Sequence, residues 1–286
     1  NASLISKLNF LTKLKPDPLV SEFIGSEKRL VDIWSDRSID RREDFIAEET
    51  PVALVYNDIS HVVMMATPAQ LEKFALGFSL SEGIIQDCEE VYDIQIRQLN
   101  EGVEVALTIS SQRFAKLKDR RRSISGRTGC GICGADSLQQ ARLAVEPVTS
   151  HCEPTPAAIN RAITELDGRQ DLQASTGAVH GAAWCNIDGR ILEICEDVGR
   201  HNALDKLIGV LAQKNLLELE SLNNGFVLVS SRASYEMVQK TAMINASVLV
   251  AVSAATTMAM DVARQAGVTL IGFARKNRHV TYVNSK

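Results

Sequence analysis

The chain has 286 residues, of which 45% are hydrophobic and 23% charged, and its formal net charge is -4 at pH 7. This composition allows one large domain or two modest ones around a buried core and excludes a wholly disordered chain. The mildly acidic balance argues against a general nucleic-acid-binding protein, although a local basic patch can still bind phosphates.

The chain lacks the sequence features of a membrane or secreted protein. Its longest apolar run, around residues 246–255, is far shorter than the roughly 20 residues of a membrane-spanning helix. The first 20 residues mix lysines with short apolar pieces and lack the apolar core of a secretory signal. Cys88, Cys152, Cys185 and Cys195 are scattered without the spacing of a disulfide framework. We therefore expect a cytoplasmic protein.

The first half of the sequence predicts a small mixed domain. Short extended stretches precede a helix that begins near Pro68 and ends near Gly83. Two more strands and a helix around residues 112–119 follow. The early strands suggest a small antiparallel sheet. The predicted strands are residues 29–34, 45–47, 52–56, 61–66, 91–98 and 103–109.

A pair of thiols follows this helix. Cys130 and Cys133 lie two residues apart in the glycine-rich segment 128–134 (TGCGICG). Glycine gives the backbone access to positive φ and leaves neighbouring side chains uncovered. Residues 116–127 contain six lysines and arginines against one acidic residue, Asp119, and nearby positive charge favours the reactive thiolate. The spacing alone leaves metal binding, redox chemistry and sulfur transfer open.

The second half changes pattern after Thr155. An amphipathic helix, a hairpin signalled by Asp188 and Gly189, and then alternating helices and strands predict an α/β layered domain with several parallel strands. The near-continuous apolar strands agree, because parallel strands are covered on both faces. The predicted helices are 156–168, 201–214, 235–245 and 256–265, and the predicted strands are 178–187, 190–195, 226–230, 247–252 and 268–273.

Polar segments follow the strands of this half at 196–201, 230–232, 253–257 and 274–278. In an open α/β sheet, ligands bind in the crevice outside the carboxyl ends of the strands. Helix N-termini and arginine side chains both favour anions there, so the segments predict a phosphate-bearing ligand. Each is, alternatively, an ordinary capped loop. Glu196 and Asp197 could recognise an N–H edge such as that of guanine or pair with Arg200.

Zinc is a further possibility for the thiols. Cys130, Cys133 and His180 could supply three ligands, as a catalytic zinc site requires. The glycine-flanked segment contains nothing that fixes such a geometry, so we treat His180 as a strand histidine and predict no metal site.

Several segments together resemble the formate dehydrogenase accessory sulfurtransferases, the FdhD family. The resemblance runs from about Pro51 to the C-terminus. The segments are 51–55, 75–83, 127–134, 196–206 (EDVGRHNALDK), 231–240 (SRASYEMVQK) and 273–278 (FARKNR).

The resemblance implies an α/β fold in which residues 146–286 form a three-layer domain similar to cytidine deaminase. Residues 29–145 would form a smaller α+β domain that ends in the Cys-x-x-Cys loop, after a variable segment at 1–28. The deaminase zinc signature is absent, because Gly129 precedes Cys130 and Ala182 follows Gly181 where a proline and a glutamate would be needed. Deaminase chemistry is therefore not expected.

The resemblance also implies a homodimeric sulfur carrier that accepts persulfide sulfur from a cysteine desulfurase. It would deliver this sulfur to the molybdenum or tungsten bis(molybdopterin guanine dinucleotide) cofactor of formate dehydrogenase, and a guanine nucleotide such as GDP could occupy the same site. Cys130 would carry the persulfide with help from Cys133. The expected cofactor-binding residues are Phe273, Ala274, Arg275, Lys276, Asn277, Arg278, Ser231, Arg232, Asp197 and His201.

Two other functions compete with sulfur transfer. A thiol-disulfide oxidoreductase would use the Cys-x-x-Cys pair but leave the anion crevice unexplained. A cofactor-binding chaperone without sulfur chemistry would use the crevice and need the thiols only for docking. Sulfur transfer ranks first because it uses both features.

Overall fold

The computed structural model describes residues 24–35, 38–125 and 145–285. Cys130 and Cys133 lie outside these residues, as does most of the predicted variable segment at 1–28. The described part contains a two-stranded ribbon, a four-stranded sheet and a six-stranded sheet. None of its helices is long and apolar enough to span a membrane.

The first two strands form a ribbon of their own. Strand β1 (Ser26–Ser35) pairs antiparallel with β2 (Ser38–Ala47), and their apolar residues include Trp34, 73% exposed, and Ile39, 71% exposed. The sequence predicted only residues 45–47 of β2, because its charged run 40–44 lacks the alternation of a half-buried strand. The expectation that all the early strands share one sheet is therefore wrong.

The four-stranded sheet has the order β4, β3, β6, β5. Its outer pairs are antiparallel, but β3 runs parallel to β6, which corrects the prediction of a purely antiparallel sheet. Its strands are β3 (Thr50–Tyr56), β4 (Ile59–Ala66), β5 (Val91–Leu99) and β6 (Gly102–Ile109). Helix α1 (Leu71–Ser81) and a 3-10 turn (Cys88–Glu90) connect β4 to β5, and α2 (Ser111–Ser125) follows β6.

The six-stranded sheet has the order β12, β11, β10, β9, β7, β8. Three of its four inner strands, β9, β10 and β11, are parallel, as the alternation of helices and strands predicted. The strands are β7 (His180–Asn186), β8 (Ile191–Asp197), β9 (Gly225–Val229), β10 (Val248–Ala251), β11 (Thr269–Arg275) and β12 (Arg278–Val283). Strand β12 was not predicted from the sequence.

Helices cover both faces of this sheet. Helix α3 (Pro156–Leu166) packs on one face through Ile159, Ile163 and Leu166. Helices α5 (Arg200–Gln213), α7 (Tyr235–Met243) and α8 (Thr257–Ala266) pack on the other. Trp184 on β7 is 1% exposed and lies on the second face. Two short helices, α4 (Asp171–Thr176) and α6 (Leu219–Asn223), also belong to this half. The short helices α4 and α6 were not predicted.

Helices α1 and α5 cross at two glycines. A Cβ atom on Gly77 would lie 1.8 Å from the carbonyl oxygen of Asp205, and one on Gly209 would lie 2.0 Å from that of Lys73. Only glycine permits so close an approach. The crossing joins the four-stranded sheet to the six-stranded sheet, and both contribute to one buried apolar core.

The architecture confirms the predicted mixed α/β class and the layered second half. The likeness of residues 146–286 to cytidine deaminase stays a prediction, as do the domain limits 1–28, 29–145 and 146–286.

Candidate functional site

Several loops meet at one edge of the six-stranded sheet. Parallel strands β9, β10 and β11 end there, and β7 begins where β8 ends because His180 pairs with Asp197. Gly181 N donates to Ser230 Oγ at 2.9 Å, and Phe273 N donates to the carbonyl of Ser253 at 2.9 Å. The structure thus brings together three of the strand-end segments that the sequence singled out, 196–201, 230–232 and 253–257, with Phe273 beside them.

Three helices start at this edge, at Gly199, Ser234 and Thr256. The starts of α7 and α8 are joined, because Ala233 N donates to the carbonyl of Ala254 at 3.0 Å and Thr256 N donates to that of Ala233 at 3.1 Å. Helix N-termini carry partial positive charge and free N–H groups. This edge therefore suits an anionic group such as a phosphate.

Unused polar atoms lie beside these helix starts. Within the described part of the chain, Arg200 Nε and Ser234 Oγ are buried and have no hydrogen-bond partner. His201 Nε2 lies 2.7 Å from Glu236 Oε2, although the alignment is not that of a hydrogen bond. Burial lowers the pKa of His201, and Glu236 opposes that shift. Buried polar atoms without partners are uncommon and mark places where a ligand can bind.

Asp197 lies beneath the edge, and protein groups occupy its carboxylate. Lys206 Nζ is 2.6 Å from Oδ2, and both side chains are completely buried. The backbone N–H groups of Thr67 and Gly199 donate to it at 3.1 Å and 2.8 Å, and Asn202 Nδ2 donates at 3.0 Å. This arrangement favours a structural role, and the prediction that Asp197 binds the cofactor stays untested.

The carboxylate of Glu196 makes contacts that neither interpretation of the sequence, a ligand N–H edge or a pair with Arg200, predicted. Its two carboxylate oxygens accept hydrogen bonds from the backbone N–H groups of Leu172 and Gln173, both at 2.9 Å. The carboxylate therefore stabilises the first turn of α4. Burial raises the pKa of Glu196, and these two hydrogen bonds oppose the shift.

The predicted segment 273–278 divides between two places. Phe273 is 41% exposed at the crevice edge and has positive φ, while Ala274 is buried. Arg275, Lys276, Asn277 and Arg278 are exposed and form the turn between β11 and β12. Lys276 Nζ lies 3.7 Å from Asp167, and Asn277 N donates to Asn160 Oδ1 at 2.8 Å. These two contacts hold the turn beside α3, one at the middle of the helix and one just after its last residue.

Ser231 and Arg232 lie between β9 and α7. Ser231 is buried and its hydroxyl donates to the carbonyl of Arg232 at 3.0 Å. The Arg232 side chain is exposed, so it can reach an anion from solvent.

An open cleft of about 390 Å³ adjoins the crevice and is lined by Gln170, Gln173, His180 and Ser230 among others. Gln170 is 8% exposed, and its Nε2 has no partner among the described residues. Burial lowers the pKa of His180, with Arg200 adding to the shift.

The sequence did not single out Gln170, Ser234 or Glu236 as site residues, whereas Arg200 lay in the predicted segment 196–201 and was considered as a partner of Glu196 and Asp197. Ser234 had a readable signal, because a serine before a predicted helix is a typical N-cap. The positions of Gln170 and Glu236 depend on contacts between distant segments.

The described cysteines are poor candidates for sulfur chemistry. Cys152, Cys185 and Cys195 are buried, and burial raises the pKa of Cys152 to about 11 and that of Cys195 to about 12. Cys88 is partly exposed, and burial again raises its pKa. A high pKa disfavours the reactive thiolate. The described residues also contain no group of three or more potential metal ligands.

Comparisons with known proteins show the family of this chain. The FdhD/NarQ family profile matches residues 47–286. The sulfur carrier protein FdhD of Cupriavidus necator is 53% identical over 88% of this chain and 86% of its own length. Its namesake in Chromobacterium violaceum is 52% identical over 84% of this chain and 88% of its own length.

A solved structure shares the fold. The crystal structure of a candidate formate dehydrogenase accessory protein from Desulfotalea psychrophila has a TM-score of 0.66 and 24% sequence identity. The alignment covers 90% of this chain and 96% of the other.

Proposed function

This chain belongs to the FdhD/NarQ family, and we propose that it is a cytoplasmic sulfur carrier needed for formate dehydrogenase activity. The observation that carries the proposal is its high identity, over most of the chain, to proteins named sulfur carriers. The edge of the six-stranded sheet supports it, because three helix starts lie there together with polar atoms that have no hydrogen-bond partner among the described residues.

Sulfur acceptance takes place at Cys130. Its thiolate attacks the outer sulfur of a cysteine persulfide on a cysteine desulfurase, and the donor cysteine leaves as a thiolate. Cys130 then carries the persulfide. The basic residues of the preceding segment favour the thiolate that starts this exchange.

The substrate that receives the sulfur is the molybdenum or tungsten bis(molybdopterin guanine dinucleotide) group. Its phosphates would bind at the starts of α5, α7 and α8, close to Arg200, Ser234 and Arg232. Phe273 offers an exposed aromatic ring at the same edge, and His201 lies on the first turn of α5. GDP, which carries the same guanine and phosphate groups, would occupy part of this site.

Cys133 would complete sulfur release. Its thiolate attacks the inner sulfur of the Cys130 persulfide, which forms a Cys130–Cys133 disulfide and releases hydrosulfide to the metal. Two equivalents of a cellular thiol then reduce this disulfide through a mixed disulfide and are themselves oxidised to a disulfide. Trapping this disulfide after turnover would support the step, and full transfer by Cys133→Ala would exclude it.

Intact-protein mass spectrometry tests the central claim. The chain is incubated with a cysteine desulfurase and cysteine, beside Cys130→Ala and, as a matched control, Cys88→Ala. We expect a gain of one sulfur that a reductant removes, that Cys130→Ala abolishes and that Cys88→Ala retains. A gain that persists in Cys130→Ala, or no gain in any chain, would overturn sulfur transfer.

The same material separates the competing functions. A chaperone without sulfur chemistry predicts formate dehydrogenase activation that Cys130→Ala leaves intact. A thiol-disulfide oxidoreductase predicts reduction of insulin disulfides. The homodimer that the family implies is also part of the proposal, and sedimentation equilibrium measures it.

A further inference from the structure

Helices α5 and α7 lie side by side and share two rungs of charged side chains. His201 and Asp205 are four residues apart on α5, and Glu236 and Lys240 are four residues apart on α7, so each pair lies on one helix face. The outer rung joins His201 to Glu236 at 2.7 Å. In the inner rung, Lys240 Nζ donates to both carboxylate oxygens of Asp205 at 3.0 Å.

A third helix contributes to the inner rung. Glu82 follows the last residue of α1, and its Oε1 accepts a hydrogen bond from Lys240 Nζ at 3.0 Å. Ser81 Oγ accepts from Lys240 at 2.9 Å and donates to Asp205 at 2.6 Å. The ammonium also lies 5.3 Å from the centre of the Phe78 ring. Lys240 is therefore held by groups from α1 and α5 at once.

The exposure of these side chains increases toward the crevice. Asp205 and Lys240 are 1% and 6% exposed, whereas His201 and Glu236 are 25% and 41% exposed. Burial opposes the charge of Lys240, but the carboxylates of Asp205 and Glu82 raise its pKa. The inner rung thus keeps a charged lysine inside the protein, and the outer rung reaches the surface at the helix starts.

Burying such a cluster needs an explanation, because packed apolar side chains generally stabilise a core at least as well. In some proteins, fully hydrogen-bonded buried charges fix the relative positions of the elements that carry them. Here those elements are the last residues of α1 and the two helices whose starts line the crevice. Arg120 on α2 also donates to the carbonyl of Glu82 at 3.0 Å, so the helix that precedes the thiol segment is attached at the same point.

We propose that Glu82, Asp205 and Lys240 form a junction that positions the first turns of α5 and α7 for the anionic ligand of the crevice. These are positioning residues, since they act through the helix starts and lie behind His201 and Glu236. The inference rests on the proposed function, whose guanine nucleotide is the ligand concerned. It assigns to Glu82, in the first half of the chain, a part in ligand binding by the second half.

The test is isothermal titration of the full chain with GDP. Glu82→Gln removes one charge from the junction with little change of shape, and we expect about tenfold weaker binding, within the range of effects that positioning residues exert. Glu72→Gln, on the first turn of the same helix, is the matched control and should bind as the native chain does. Unchanged affinity in Glu82→Gln would overturn the inference.

A second set of variants separates positioning from general stability. Lys240→Met should weaken GDP binding by a similar factor, and the double variant with Glu82→Gln should bind no worse than the weaker single variant, because both changes break one unit. Glu82→Asp retains the carboxylate and should recover most of the affinity. A purely structural role predicts lower unfolding temperatures with unchanged dissociation constants in all folded variants, which would contradict the junction.

The outcomes also distinguish this inference from the proposed function. If the native chain binds GDP and all junction variants bind it equally tightly, the positioning role of the junction is refuted and the nucleotide site in the crevice is retained. If the native chain binds no GDP, the nucleotide site of the proposed function falls and the junction falls with it.

Discussion

Adjacent residues of helix α5 belong to two buried ion pairs with different surroundings. Lys206 pairs with Asp197, and neither side chain has any exposure. Asp205 pairs with Lys240, which also binds the partly exposed Glu82, and the His201–Glu236 pair lies one helical turn away on the same two helices, toward the crevice. The first pair is enclosed by backbone donors from both halves of the chain, whereas the second leads to the crevice. Two similar buried ion pairs can thus have different roles. One stabilises the packing between the two halves of the chain, and the other positions the helix starts at the crevice.

Removing the enclosed pair should have the largest effect. Asp197→Ala leaves Lys206 buried without its partner and leaves two backbone N–H groups without an acceptor. We expect a loss of about 3–5 kcal/mol in the free energy of unfolding, as for other broken buried pairs, measured by urea denaturation. Asp261→Ala removes an exposed carboxylate paired with Arg264 and should cost less than about 1 kcal/mol. Equal losses of stability in Asp197→Ala and Asp261→Ala would show that the buried Lys206–Asp197 pair stabilises the fold no more than an exposed ion pair does.

Forcing α1 away from α5 should disturb both pairs at once. Gly77→Ala places a methyl group 1.8 Å from the carbonyl oxygen of Asp205, so the helices must separate. Overpacking of this kind costs about 1–3 kcal/mol, which urea denaturation measures. In Gly168→Ala the nearest atom would be 3.9 Å away, and the stability should stay close to native. A stable Gly77→Ala would mean that the crossing tolerates separation.

Neutralising the second pair should cost less stability than breaking the first. In the double variant Asp205→Asn with Lys240→Met, no buried charge is left without a partner except Glu82, which is 27% exposed and can be hydrated. Paired replacement of buried charges is often close to neutral, so we expect a loss below about 2 kcal/mol. The single variant Lys240→Met should be less stable than the double variant, because it leaves the Asp205 carboxylate buried without its ammonium. If Lys240→Met were more stable than the double variant, the Asp205 carboxylate would not need the Lys240 ammonium as its buried partner.

The smallest effect concerns pH at the outer rung. Burial lowers the pKa of His201 below its ordinary value of 6.5, and Glu236 opposes the shift. The unfolded chain therefore binds a proton at His201 more readily than the folded chain does. The contribution of His201 to the free energy of unfolding is complete above about pH 6.5 and is lost as the pH falls toward the pKa of His201 in the folded chain. Urea denaturation at about pH 7.5 and about pH 5.5 should show a smaller loss on acidification for His201→Gln than for the native chain. A larger loss of stability in His201→Gln than in the native chain would show that the pKa of His201 is raised by folding and not lowered.

Local patterns in the sequence were sufficient for much of the fold. The apolar runs of β9, β10 and β11 fit strands covered on both faces, and Thr155 and Thr256 precede their helices as N-caps whose hydroxyls accept from Ala158 and Ala259. The crevice was predicted for the same reason, because parallel strands end at one edge.

The rest depends on contacts that local patterns do not encode. Glu82 and Lys240 are 158 positions apart, so neither predicts the other. Glu196 and Asp197 looked like ligand groups, yet their partners come from α4 and from Thr67, 130 positions away from Asp197. Strand β12 was missed because its sequence RHVTYV begins with charged and polar residues. The roles of Cys130 and Cys133 come from the family resemblance. Both cysteines lie outside the part of the chain that the structure describes.

The two tryptophans of the chain occupy opposite environments. Trp34 on the ribbon is 73% exposed, whereas Trp184 in the six-stranded sheet is 1% exposed. Their indole fluorescence therefore has a red-shifted component that aqueous iodide quenches and a blue-shifted component that it does not reach. A change confined to the first reports on the ribbon and a change in the second reports on the core, so an unlabelled sample distinguishes local from global unfolding.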